Sequence, residues 1–153
     1  NTNEGHRKIA VALQEMWKNY LNIDIKLLNQ EWKVYLATES AGDYQISRGG
    51  WIGDYVDPNH FLDMFLCNGG NNRTGWCNEE YDRLILEVAP SQSSHEQRLK
   101  IFQQAETMLL EDMPIIPVYT YTSIKLLHLS VRNFDDNILN QAMYKDLYLD
   151  ANL

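Results

Sequence analysis

The residues best able to do chemistry lie between Arg48 and Pro58, in the run RGGWIGDYVDP. Arg48 offers a planar guanidinium that can fork onto a carboxylate, or it is simply a solvated cation. Asp54 offers an anion for a ligand ammonium; its alternative is a turn aspartate bonded to its own backbone. Trp51 supplies a flat apolar plate between them, with core packing as its other reading. Gly49, Gly50 and Gly53 strip side chains from the backbone, so another chain or a ligand can come close. Asp57 precedes Pro58 and suits the N-cap of a helix over Asn59 to Leu66. Asp54, Asp57 and His60 fall three apart and could in principle hold a divalent ion. A capping role for Asp57 and a helix-face role for His60 account for the same spacing, and no metal is expected. No serine sits in a Gly-x-Ser-x-Gly elbow, and neither cysteine is placed as a nucleophile beside a base. The run reads as a binding site, not a catalytic one.

Cys67 and Cys77 bracket a nine-residue polar loop, NGGNNRTGW, with three glycines and three asparagines. The spacing is wrong for a zinc pair, and no second pair follows. A disulfide closing the loop is the favoured reading, which places the protein outside the cytoplasm; two free thiols in a reducing compartment are the alternative.

The chain has 153 residues, enough for one domain with its own core. An apolar fraction of 44% with 11% aromatics argues against disorder. A net charge of −8 argues against a nucleic-acid partner, because phosphate neutralisation needs clustered lysine and arginine. No apolar run is long enough for a membrane span. The polar start, Asn1-Thr2-Asn3-Glu4, shows no signal peptide and suggests a mature chain or an excised piece.

These residues must be positioned by elements that the periodicity marks. Ile9, Leu13, Met16, Trp17 and Tyr20 form a helical stripe over 4–21, which Asn22 would stop. Ile23, Ile25 and Leu27 alternate with Asp24 and Lys26 as a strand. Trp32, Tyr35 and Leu36 lie on one face of a helix over 31–40, ended near Gly42. A strand over 44–52 follows, and this β-α-β order predicts parallel pairing. Asn78 should cap a helix carrying Tyr81, Leu84, Ile85 and Val88, with Pro90 stopping it. Ser93 with Glu96 predicts a capping box for the next helix, ended by Pro114. Residues 115–122 read as a strand, with Tyr119 and Tyr121 on one face, and 123–129 should extend or pair with it. A polar turn over 135–141 and a last strand over 143–149 complete the chain. These strands are few and would need further partners.

The segments NTNEGHRKIAVALQEMWK, NQEW, RGGWIGDYVDPNHFL, NEEYDRLI and MPIIPVYTY, in this order, closely resemble the bacterial oligopeptide- and dipeptide-binding proteins. These are the solute-binding components of peptide ABC importers, and the resemblance spans essentially the whole chain. It implies an α/β fold: one lobe of a two-lobed periplasmic-binding-protein-like architecture, a mixed sheet flanked by helices. The chain would then be a single domain over 1–153, a partial C-terminal lobe of a longer protein whose N-terminal lobe is missing.

The resemblance also implies roles. Asp54 would pair with the α-ammonium of a bound peptide, and Gly50, Trp51 and Ile52 would bond its main chain. Arg48 would meet the carboxylate of some short peptides, while Trp32, Asn71 and Tyr121 would lie near side-chain pockets. The Cys67–Cys77 pair resembles a bridge of dipeptide-type members. Two positions depart from relatives: Ile52 is a cysteine in some, and Glu39 replaces a basic residue in others. The implied partners are short peptides and a membrane permease, the location is periplasmic, and no cofactor is needed. The alternative on the same fold is a carrier of a metal chelate, haem or a murein peptide.

Overall fold

Asn3 opens the first helix by accepting the His6 N–H on its side chain, and helix α1 runs Glu4–Met16. Its last turn widens to π geometry over Trp17–Leu21 and stops where Asn22 adopts a left-handed conformation, φ 55°. The computed structural model describes residues 3–137 and 139–151. Ile138, within the polar turn predicted over 135–141, lies outside the described residues, as do the first two and last two positions. Cα packing divides the chain into two compact units, Asn1–Gly49 and Gly50–Leu153.

In the first unit, Gln14 donates from Nε2 to the Ile25 carbonyl at 2.8 Å and ties α1 to the extended segment after it. Helix α2, Trp32–Ala41, is capped by the Glu31 side chain and ends at Gly42, whose φ of 69° is the left-handed geometry that favours glycine.

The second unit holds the buried core. Helix α3, Asn59–Leu62, leads into a 3₁₀ turn at Asp63–Phe65. Helix α4, Glu79–Arg83, starts under Asn78, whose side chain accepts from the N–H groups of Glu80 and Tyr81. It continues as a π segment, Leu84–Val88, into a short helix α5, Ala89–Ser91. The long helix α6, His95–Asp112, packs across them. Tyr81, Leu84, Ile85, Ala89, Phe102, Ala105 and Leu109 are buried together, with Leu62 at their edge. The Tyr81 hydroxyl donates to the Leu62 carbonyl at 2.6 Å, so the one polar atom of this ring leaves no unmet bond in the core. Burial pushes its phenol well above the usual range.

The described residues correct the expected sheet. Their only strands are β1, Val131–Arg132, and β2, Tyr148–Leu149, paired antiparallel in a two-residue ladder. The segments 23–28, 44–52 and 115–129 contain no strand and form no parallel pairing. Alternation reports a chain willing to be extended; a strand also needs a neighbouring strand for its ladder, and among the described residues none pairs with these segments. Part of the last predicted strand is instead a 3₁₀ turn, Tyr144–Asp146. Two helix boundaries also shift. Pro90 does not stop the helix but lies in α5, following the wide π turns that relieve the clash of a proline ring with a tight preceding turn. Ser94, not Ser93, caps α6, accepting from the Gln97 N–H.

Candidate functional site

The second unit gathers the central part of the candidate set. Gly50 allows a close approach: a Cβ there would lie 2.8 Å from the Tyr121 hydroxyl, so Tyr121 sits directly against the backbone of the extended segment. Tyr121 in turn meets Tyr119 edge to face, centroids 5.1 Å apart. Gly53 serves a second approach, since a Cβ there would lie 3.0 Å from the tip of Phe61 on α3.

That approach brings the segment onto His60. The imidazole is buried, 8% exposed, with the Trp51 ring 5.5 Å and the Tyr55 ring 4.5 Å away by centroid. The Asp54 carboxylate reaches within 3.6 Å of His60 Nε2 while its side chain stays 86% exposed. Ile52 points its apolar side chain outward, 76% exposed.

Asp57 takes no part in this group. Its Oδ1 accepts the Asn59 N–H at 2.9 Å, the capping contact expected, and both its oxygens accept from Arg98 of α6, at 2.6 and 2.9 Å. The Arg98 hydrogen bonds are the largest cause holding the Asp57 carboxyl below its ordinary value. Arg98 also lies over the Phe102 ring at 4.5 Å. Asp57 is therefore a clamp between the start of α3 and α6, and the three-residue spacing with Asp54 and His60 does not become a shared site.

The disulfide Cys67–Cys77 is formed. Within its loop, Asn71 is exposed, and the neighbouring Asn72 does the organising. Its amide donates to the carbonyls of Phe65, Leu66 and Trp76, and its Oδ1 accepts from the Thr74 N–H and hydroxyl. The chain after Cys67 is also fixed to α4, because the Cys67 N–H is shared by both oxygens of Asp82.

In the first unit, Trp32 stacks on Tyr35 with centroids 5.4 Å apart. The Tyr35 hydroxyl donates to Glu39 at 2.7 Å and lies 3.1 Å from the Arg48 carbonyl. Ser47 donates to the same Glu39 oxygen at 2.9 Å. Burial, and then the Glu39 carboxylate it bonds, push the Tyr35 phenol up to about 12. Glu39 thus anchors the backbone that carries Arg48. Two concavities among the described residues, one in each unit, are lined by none of the candidate residues.

The profile for bacterial extracellular solute-binding proteins, family 5 Middle, matches residues 1–73. The chain is 45% identical over 123 residues to the oligopeptide-binding protein OppA of Bacillus subtilis (strain 168), covering 80% of this chain and 22% of that protein. The structure of Haemophilus influenzae OppA in complex with RPPGFSPFR superposes with a TM-score of 0.84 at 36% identity, over 97% of this chain and 29% of that one. The Escherichia coli murein tripeptide binding protein MppA superposes with a TM-score of 0.82 at 33% identity, over 97% and 29%. The chain belongs to the family 5 extracellular solute-binding proteins, which bind solutes and are not enzymes. It spans about a quarter of the length of these relatives.

His60 and Asn72 are the residues that sequence reasoning undervalued. Asn72 had a signal, a polar asparagine inside a closed loop, but Asn71 had the same one.

Proposed function

We propose that this chain is part of a longer periplasmic solute-binding protein that captures short peptides and delivers them to the membrane permease of an ABC importer. The observation that carries the reading is the Asp54 carboxylate. It stands 86% exposed at the end of an extended segment, Gly50 to Gly53, that belongs to no strand. An open anion beside extended backbone that lies in no strand suits a peptide, which brings an α-ammonium and a main chain needing strand-like partners. Gly50, Trp51 and Ile52 bond the peptide backbone in this reading, and Tyr121, packed against Gly50, walls the same stretch. Arg48 meets the peptide carboxylate, and Trp32 and Asn71 contribute to side-chain pockets.

The rest of the protein is proposed to supply two things. One is strand partners for the extended segments. The region 115–129 leaves Ile124 and Leu126 more than nine-tenths exposed, a state that a neighbouring strand or layer would relieve. The other is the second lobe, which closes over the peptide, excludes water and strengthens the ammonium–Asp54 attraction. The chain itself is assigned to the C-terminal lobe.

Calorimetry on the full-length protein tests this with a free tripeptide and its N-acetylated form. Asp54→Asn is expected to weaken the free peptide about 10- to 100-fold, the worth of one charge-assisted hydrogen bond, and to leave the acetylated form unchanged. Equal loss for both peptides would contradict the ammonium role. Likeness to a murein tripeptide-binding protein favours a murein peptide as the second reading, which competition between the two peptide classes decides.

A further inference from the structure

Among the described residues, two buried side-chain nitrogens have no hydrogen-bond partner: Trp51 Nε1 and His60 Nε2. Both belong to the ring cluster under the Gly50–Asp54 segment, and their rings lie 5.5 Å apart. A buried polar atom without a partner loses its hydration and gains nothing in return. Such a cost concentrated at one place calls for an acceptor. For His60 the acceptor is at hand. Asp54 Oδ2 lies 3.6 Å from Nε2, just beyond hydrogen-bond distance, on an exposed side chain free to turn.

We propose that His60 is a positioning residue for Asp54: Nε2 carries the proton and donates to Oδ2, fixing the carboxylate so that its other oxygen faces the ligand ammonium. This rests on the peptide reading above. The imidazole is itself held by packing. The Trp51, Tyr55 and Phe61 rings lie 5.5, 4.5 and 5.8 Å from it by centroid, and Gly53 lets Phe61 come close, which seats α3 against the segment. A donor locked by packing loses little freedom when it bonds, whereas an exposed aspartate without one samples several rotamers. Fixing one rotamer before the ligand arrives removes that ordering cost from binding.

The test pairs two substitutions with two ligands. His60→Leu keeps apolar volume and removes the donor; His60→Gln can place an amide N–H near the Nε2 position. In full-length protein, His60→Leu is expected to weaken a free tripeptide about tenfold and to leave the N-acetylated peptide unchanged, with His60→Gln restoring most of the loss. Equal weakening of both peptides would show a structural role only and overturn the proposal. Independently of any ligand, ¹⁵N NMR of the full-length protein should find Nε2 protonated and its resonance moved by Asp54→Asn. An Nδ1-protonated ring indifferent to Asp54→Asn would also overturn it. If the wild type binds neither peptide, the peptide reading fails, and the NMR result alone decides the pairing.

Discussion

At the scale of single residues, two aspartates three positions apart are put to opposite uses. Asp54 keeps its carboxylate in the open, whereas Asp57 spends both oxygens on Arg98 and one of them also on the Asn59 N–H. A carboxyl held below its ordinary value in the folded state stabilises the fold above the unfolded value, near 3.8, and that contribution disappears as pH falls through the folded value. Asp57→Asn should therefore cost about 1–3 kcal/mol at pH 7, the range for a charge-assisted pair about three-quarters buried. Urea unfolding at pH 7 and pH 3 checks this. The gap between wild type and variant should narrow in acid, and an equal gap at both would assign the loss to packing. Asp54→Asn, whose carboxylate is exposed, should leave stability nearly unchanged in the same experiment.

At the scale of elements, the second unit depends on α3, α4 and α6 converging on one aromatic-rich core. Phe102 is 3% exposed and carries Arg98 across its face, so Phe102→Ala should cost about 3–5 kcal/mol, read as a lowered urea midpoint with an unchanged slope. The Cys67–Cys77 loop is closed twice, by the disulfide and by Asn72. Cross-linking across ten residues of separation is worth about 2–3 kcal/mol in the loop-entropy account, so reduction should lower stability by that amount. Asn72→Ala would strip a hydrogen bond from three carbonyls at once and should cost about 1–3 kcal/mol even with the disulfide intact. Equal stability of Asn72→Ala and wild type would show that the covalent bridge alone shapes the loop. The helices themselves were well marked in the sequence. Asn22, Gly42 and Asn78 occupy the stops and start expected of them, because capping is decided by a residue and its immediate neighbours.

At the scale of the whole molecule, the chain spans about a quarter of its relatives' length and leaves three extended segments without ladders. On the proposed reading, enclosure supplies most of the affinity, so this chain alone should bind a tripeptide weakly or not at all in calorimetry. Micromolar or tighter binding by the chain alone would mean that Asp54 and the Gly50–Ile52 backbone suffice without a second lobe.

What the sequence determined by itself was local or carried in the order of its motifs. Most of the helices and several of their caps, the bridged cysteine loop, the family, and the position of Asp54 beyond three glycines were readable there, since each depends on residues close together in the chain. Tertiary structure decided what depends on partners. Extended segments did not become a sheet, because a ladder needs a second strand that no pattern within the segment can supply. Asp57 went to Arg98, 41 positions away, and not to a metal with Asp54 and His60. Asn72, not Asn71, became the loop's organiser, because three carbonyls converge on one amide and not on its neighbour. His60 acquired its importance only when Gly53 let α3 close on the segment, leaving one buried nitrogen facing one exposed carboxylate.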